Sequence, residues 1–209
     1  LLIERALWIK LEGYDEHYCP AYGEDSDLAI RVRQRGLKVM FQPRSVVIHH
    51  EGISHGTSEN SGLKAYQRVN REKLLTRWAD VLKGEQSIRE RGVFRARDRA
   101  THAKVTLIID HYVPEPDRDA GSRTMMQMIE SLLRMGHRVK FWPDNLHYKA
   151  EYVRPLQDMG VEVVYGTDAP IFSAWIKACG HDVDHVLLSR PAVARNYIKL
   201  IRKYSDAHN

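Results

Sequence analysis

The chain has 209 residues, 43% hydrophobic and 28% charged, with 13 Gly and 8 Pro, an ordinary globular composition that excludes collagen-like, coiled-coil and disordered classes. The formal net charge of +5, from 32 basic and 27 acidic residues, is too mild for the basic stripe of a nucleic-acid-binding surface. No apolar run approaches the roughly 20 residues of a membrane span, and Leu1-Leu-Ile-Glu-Arg5 lacks the basic start and long apolar core of a signal peptide.

The length suits one large domain or two small ones. Cys19 and Cys179 are far apart and offer no metal or redox spacing, so they read as two inert thiols in a reducing cytoplasm. The chain has no initiator Met and stops soon after its last predicted unit, so both ends read as cut from something longer.

Residues 1–83 read as a helix, an acidic loop, a second helix, two short strands and a long helix. The acidic loop runs from Gly13-Tyr-Asp-Glu16 through Tyr18-Cys-Pro-Ala-Tyr-Gly23 to Glu24-Asp-Ser-Asp-Leu28. A helix follows to Gly36, with Leu28, Ala29 and Val32 on one side, so Glu24, Asp25 and Asp27 crowd its N-terminus. Two readings stand here. Acids at that place complement the macrodipole and cap free N–H groups, at about 0.3–1 kcal/mol each. Alternatively, one carboxylate faces a cleft and accepts a proton from a bound hydroxyl.

Val39–Phe41 and Ser45–His49 read as short strands about a turn at Pro43, the second running into His49-His-Glu-Gly-Ile-Ser-His55. Side chains alternate along a strand, so His49 and His50 point to opposite faces and at most one shares a site with Asp25. A strand-end His is also an ordinary hydrogen-bonded core residue, but the succession of polar groups here favours a site. A carboxylate with a neutral imidazole is a ligand set for a divalent ion holding phosphates. Leu63 to Leu82 then reads as one long helix, with Tyr66, Val69, Leu74, Trp78, Val81 and Leu82 along approximately one face.

Residues 84–103 read as a linker by their shift in composition. Five Arg and one Lys fall between Arg89 and Lys104; the segment reads as solvated, with contact to anionic lipid as the alternative.

From residue 104 strands alternate with amphipathic helices. Val105–Ile109, Arg138–Trp142, Val161–Tyr165 and Val183–Leu188 are the strands. Gly136, Gly160 and Gly180 stop the intervening helices, and Pro191 opens the last one. Such alternation predicts parallel βαβ units in a Rossmann-like open sheet, hence an α/β fold. The loop Asp110 to Ser122 falls at the carboxyl edge of that sheet, where ligands of such folds bind. Gly121 and Ser122 there either offer backbone N–H groups to an anion or form a plain connection. No GxGxxG or Walker pattern supports a nicotinamide or P-loop reading. The stripe Met125, Met126 and Met128 reads as core.

Gly13-Tyr-Asp-Glu16, the run from Gly23-Glu-Asp-Ser-Asp-Leu28 to Arg31, Gly36, Pro43, Val47-Ile-His-His-Glu-Gly-Ile-Ser54 and Asn70 to Trp78 together resemble the C-terminal half of family 2 glycosyltransferases. These are GT-A enzymes that use nucleotide-sugar donors. The resemblance implies that Asp25 is the base for the acceptor hydroxyl, with Glu24 beside it and a structural role open to Asp27. It implies that His49, rather than His50, completes metal or diphosphate binding, with Mg²⁺ or Mn²⁺ as the cofactor. The family's Asp-x-Asp half is expected before Leu1.

Asp110 to Ser122, Gly136-His-Arg-Val139, Asp144, Gly160-Val-Glu-Val163 and Leu188-Ser-Arg-Pro191 resemble the N-terminal Rossmann-like domain of family 4, GT-B glycosyltransferases. By that resemblance Gly121 and Ser122 contact phosphate or acceptor. The implied whole is a cytoplasmic multidomain glycosyltransferase of surface polysaccharide synthesis, with the inner membrane face as an alternative location and a glycan or lipid-linked acceptor. Residues 1–209 alone are expected to be inactive and to self-associate. The rival expectation is a non-catalytic binding or assembly module whose acids are caps.

Overall fold

Leu1–Leu82 and Lys83–Asn209 pack as two separate units, within which the computed structural model describes residues 1–40, 45–48, 62–85, 92–100 and 102–207. The first unit contains helix α1 (Arg5–Lys10), a single 3₁₀ turn at Glu16–Tyr18, α2 (Glu24–Arg33), a second such turn at Gly62–Lys64, and α3 (Ala65–Arg77). Helix α4 (Ala79–Glu85) runs across the boundary. Leu11, Leu28 and Val32 form a small core, with Ile3, Leu7 and Trp8 packed against it.

Two expectations fail in this unit. The single helix over 63–82 breaks at Trp78, whose φ of −107° and ψ of 19° leave the helical region; its indole is drawn inward to a buried carboxylate. The short strands are also absent where the residues are described. Val39 and Met40 lie outside any strand, as does Ser45–Ile48, whose Val46, Val47 and Ile48 are about 80% exposed. A strand needs a neighbouring edge for its N–H and C=O groups, and the described residues of this unit contain no sheet. His49, His50 and the rest of that predicted strand lie outside the described residues.

The second unit begins with a correction to the linker. Gly92–Arg97 is a helix, α5, and Arg95 within it is only 8% exposed. Its guanidinium donates to Asp182 Oδ1 (3.1 Å), the Asp182 carbonyl (2.7 Å) and Asp184 Oδ2 (2.8 Å). Burying a guanidinium requires such paired acceptors, and Asp182 and Asp184 lie too far along the chain for local pattern to announce them. Residues 92–100 are therefore part of the second unit's fold, not solvated spacer.

The sheet meets its expectation. Strands β1 (Val105–Asp110), β2 (Arg138–Pro143), β3 (Glu162–Val163) and β4 (His185–Leu188) are all parallel, in the order β3-β2-β1-β4. All six residues of β1 are buried, the mark of a parallel strand covered on both faces. Ile108, Val139, Phe141 and Val163 pack with helices α6 (Ala120–Arg134) and α7 (Ala150–Met159) through Met125, Ile129, Val153 and Leu156. Leu107, Ile109, Trp142 and Val186 pack on the other face with α8 (Phe172–Cys179) and α9 (Pro191–Tyr204) through Phe172, Ile176, Val193 and Ile201. Of the Met stripe, Met125 is core and Met126 lies against it, whereas Met128 is 39% exposed.

The glycine stops have different causes. Gly160 caps α7 at φ +98°, which only glycine adopts without strain. Gly180 has an ordinary φ of −60°; there a Cβ would come within 2.4 Å of the Tyr204 carbonyl oxygen, so packing against the end of α9 requires it. Among the described residues no helix is long and apolar enough to cross a membrane.

Candidate functional site

Three acids open α2, and at about 100° per residue they face three directions. Gly23, the N-cap, holds φ +96°, and a Cβ there would press the Tyr18 ring at 3.2 Å. Asp27 turns inward and is fully buried. It accepts from Arg31 Nε (2.6 Å), Trp78 Nε1 (2.8 Å) and the Tyr18 hydroxyl (3.3 Å). Arg31 also donates to the carbonyls of Leu11 (2.5 Å) and Gly13 (2.8 Å), so this carboxylate indirectly fixes the end of α1. Asp27 is a structural hub.

Asp25 points to solvent. Its Oδ1 accepts from the backbone N–H (2.6 Å) and hydroxyl (3.3 Å) of Ser26, and its Oδ2 accepts from no other described residue. Glu24, between exposed and buried, lines a cavity of about 250 Å³ together with Tyr14, Asp15, Glu16 and Tyr18. Its Oε2 is buried with no hydrogen-bond partner among the described residues. Glu24 and Asp25 are thus adjacent in sequence but differently placed, one in the cavity wall and one in water.

The cavity wall is held from α3. Asn70, Lys73 and Arg77 recur at spacings of three and four, on one helical face. Asn70 Nδ2 donates to the carbonyls of Tyr18 and Ala21 (both 2.7 Å), Lys73 to that of His17 (2.9 Å), and Arg77 to Asp15 Oδ2 (2.5 Å). The Arg77 hydrogen bond, helped by the His17 N–H, holds the Asp15 carboxyl below its ordinary pKa. Burial, then the Asp27 charge, raises that of Tyr18. Sequence reasoning missed this clamp. Its signal was present in the Asn70, Lys73, Arg77 spacing of a predicted helix.

Among the described residues no three of His, Cys, Asp or Glu come together as a metal-ligating group. His49, the expected ligand, lies outside them. The described residues therefore do not make up the expected cation site.

In the second unit the order β3-β2-β1-β4 reverses direction between β1 and β4. That is the switch point at whose carboxyl edge open α/β sheets form a crevice. Arg190, following β4, bridges it by donating from Nε to Asp110 Oδ1 at the end of β1 (2.9 Å) and lies 5.5 Å from the Tyr112 ring centroid. The Asp110 hydrogen bond raises the Arg190 pKa. A Gly121 Cβ would stand 3.2 Å from Asp119 Oδ1 and 3.9 Å, an ordinary contact, from Arg190 Nη2, so Gly121 lies beside this cation.

Ser122 is placed differently from its neighbour. It is buried, its N–H donates to Asp119 Oδ1 (2.8 Å) and its hydroxyl to Asp119 Oδ2 (2.7 Å). Asp119 also accepts from the Tyr112 hydroxyl (2.9 Å). The chain's own carboxylate thus takes the donors that Ser122 was expected to offer an anion, while Gly121 lies next to Arg190. Arg190 was not foreseen as a site residue; its signal was a basic residue between a strand and the helix-opening Pro191.

Comparison of the chain with family models, with curated proteins and with solved structures gives no match.

Proposed function

We propose that the chain belongs to a glycosyltransferase that moves a sugar from a nucleotide-sugar donor to a glycan or lipid-linked acceptor in surface polysaccharide synthesis. In this reading Leu1–Leu82 is the acceptor side of a GT-A module and Lys83–Asn209 the N-terminal Rossmann-like domain of a GT-B module. The observation that carries it is the division of labour at α2: Asp27 supplies the structural anchoring, so Glu24 and Asp25 are left over for chemistry. Glu24 lines the cavity, and its Oε2 is buried with no hydrogen-bond partner among the described residues.

The chemistry follows from placement. An acceptor bound against Glu24 would project its reactive hydroxyl out of the cavity to Asp25, which lies in water with Oδ2 open to take the proton. The freed oxygen attacks C1 of the donor sugar, and the nucleoside diphosphate departs with the bonding pair. The divalent cation implied by resemblance, Mg²⁺ or Mn²⁺, would supply charge to offset that diphosphate, with His49 as the ligand the resemblance implies. In the second unit, Arg190 and Gly121 form the pair best suited to an anionic group of substrate.

Asp25→Asn tests the proposal in the longer protein expected to contain this sequence. The amide keeps the shape and the capping capacity but takes no proton. Transfer by the first module should fall at least about a hundredfold, the general-base contribution. Transfer within a few-fold of wild type, in a folded protein, overturns the base assignment and favours a cap in an assembly module.

A further inference from the structure

We infer that the cavity at the start of α2 binds an uncharged pyranose ring, stacked on Tyr14 and hydrogen-bonded to carboxylates, and rejects phosphate-bearing and uronic sugars. This rests on reading the cavity as an acceptor site and names the acceptor's chemical class. Three lining residues, Asp15, Glu16 and Glu24, are acids, and among the described residues the lining contains no Lys, Arg or His. Arg77 pairs with Asp15 (2.5 Å) and lies 3.6 Å from the buried Asp27, and Lys73 donates to the His17 carbonyl (2.9 Å); among the described residues neither base pairs with Glu16 or Glu24. The remaining field is negative, so an anionic ligand meets like charge here, which discriminates strongly against it. Sugar hydroxyls donate where carboxylates accept, and Glu16 and Glu24 both line the cavity.

Tyr14 supplies the second half of the argument. It is 43% exposed, yet its ring is fixed edge-on by Trp8, with centroids 5.1 Å apart and planes at 84°. Gly13 makes that possible: at φ +69°, any Cβ would strike the Trp8 ring at 2.9 Å. A rigid, half-exposed aromatic at the wall of a cavity lined by acids and apolar groups gives contact area at low entropic cost, and an apolar pyranose face matches it. The volume, about 250 Å³, lies below the roughly 300 Å³ at which pockets for drug-sized ligands begin. It suits one ring.

The test is a titration of the isotope-labelled 209-residue chain, followed by amide NMR shifts. The probes are the methyl glycosides of glucose, galactose and mannose, against glucose 1-phosphate, glucuronate and Mg²⁺ alone. At least one methyl glycoside should shift residues 14–24 at millimolar concentrations and bind at least about fivefold more tightly than either anion. Tyr14→Ala should weaken it about three- to tenfold and Tyr14→Phe within twofold, the scale of one aromatic contact. Tighter binding of either anion overturns the neutral class. Shifts from Mg²⁺ without shifts from any sugar overturn it in favour of a cation, and no shifts at tens of millimolar from any probe overturn the site. The wild-type comparison stands even if Tyr14→Ala fails to fold. Loss of the transferase reading shows separately, as no sugar transfer by the wild-type longer protein from any nucleotide-sugar donor.

Discussion

The indole N–H of Trp78 donates to the buried carboxylate of Asp27 at 2.8 Å, across 51 residues of chain. This bond breaks the third helix, joins it to the start of α2, and does so beside the Arg31 that fixes the end of α1. One side chain thus ties α3 to α1 and α2, whose small shared apolar core has no α3 member among the described residues.

Asp27→Ala should therefore destabilise the first unit by about 3–5 kcal/mol, because Arg31 keeps its largely buried position and loses its counter-charge. Amide hydrogen exchange separates the two units: protection across α2 and α3 should fall while that of β1 and β2 is unchanged. A loss below about 1 kcal/mol in α2 and α3 would show that the hub contributes little beyond water-exposed pairs.

Legibility in the sequence followed the range of the interactions. The parallel sheet was readable because Val105–Ile109 and the Gly136 and Gly160 stops are local signals of period and backbone conformation. The Trp78 break and the buried Arg95 were not, since both depend on partners 51 and 87 residues away. At the candidate site, Glu24, Asp25 and Asp27 were legible as a cluster at a helix start, but their separate roles were not. Those depend on which of them Trp78 and Arg31 engage. Ser122 is the same lesson: its donors were correctly placed at a helix start, and a neighbouring carboxylate had already taken them.

Arg95→Met should destabilise the second unit by about 3–5 kcal/mol, because Asp182 loses both its Nε and Nη2 contacts inside the fold. Replacing Arg95, Asp182 and Asp184 together with apolar residues of similar volume should recover much of this loss. Denaturant melts of residues 92–209, followed at the sheet, measure both. A stability change within about 0.5 kcal/mol for Arg95→Met would return the segment to the status of a spacer.

Cysteine chemistry should separate the two thiols. Cys179 is buried, which pushes its thiol up to about 12, and its Sγ contacts the Trp175 carbonyl at 3.0 Å. Cys19 is exposed. Iodoacetamide at pH 8 should modify Cys19 alone in the folded chain and both after denaturation, read by mass spectrometry. Early labelling of Cys179 would show that α8 opens readily from the sheet.

Gly180→Ala should cost about 1–3 kcal/mol or more, an overpacking penalty, since its Cβ meets the Tyr204 carbonyl, a backbone atom that cannot rotate away. Gly136→Ala offers a contrast. At φ +84° with nothing within 4 Å, its cost is conformational only, about 1 kcal/mol by the left-handed penalty. Thermal melts of the pair should rank Gly180→Ala the less stable; the reverse order would mean that α9 shifts to admit the methyl.

The Asp119 cap gives the chain a specific acid response. The Ser122 hydroxyl and N–H, with Tyr112, bring its carboxyl down to about 2 from an ordinary 3.8. The folded state therefore holds the proton less readily than the unfolded one, and ∂ΔG/∂pH is positive wherever the unfolded chain binds more protons. The stabilisation is complete above about pH 4 and is lost as pH falls through the folded value near 2. Carbon-detected NMR of the Asp119 carboxyl should give a midpoint near 2. Asp119→Asn keeps one acceptor but cannot serve all three donors, so its melting temperature should be lower at pH 7. The gap from wild type should narrow between pH 4 and 2, as wild type loses what the variant never had. A gap constant with pH would show that the cap acts through shape alone, and a carboxyl midpoint near 4 would show that Ser122 and Tyr112 do not hold it. In that case Ser122 is free after all, and its N–H and hydroxyl return to the anion site beside Gly121 and Arg190.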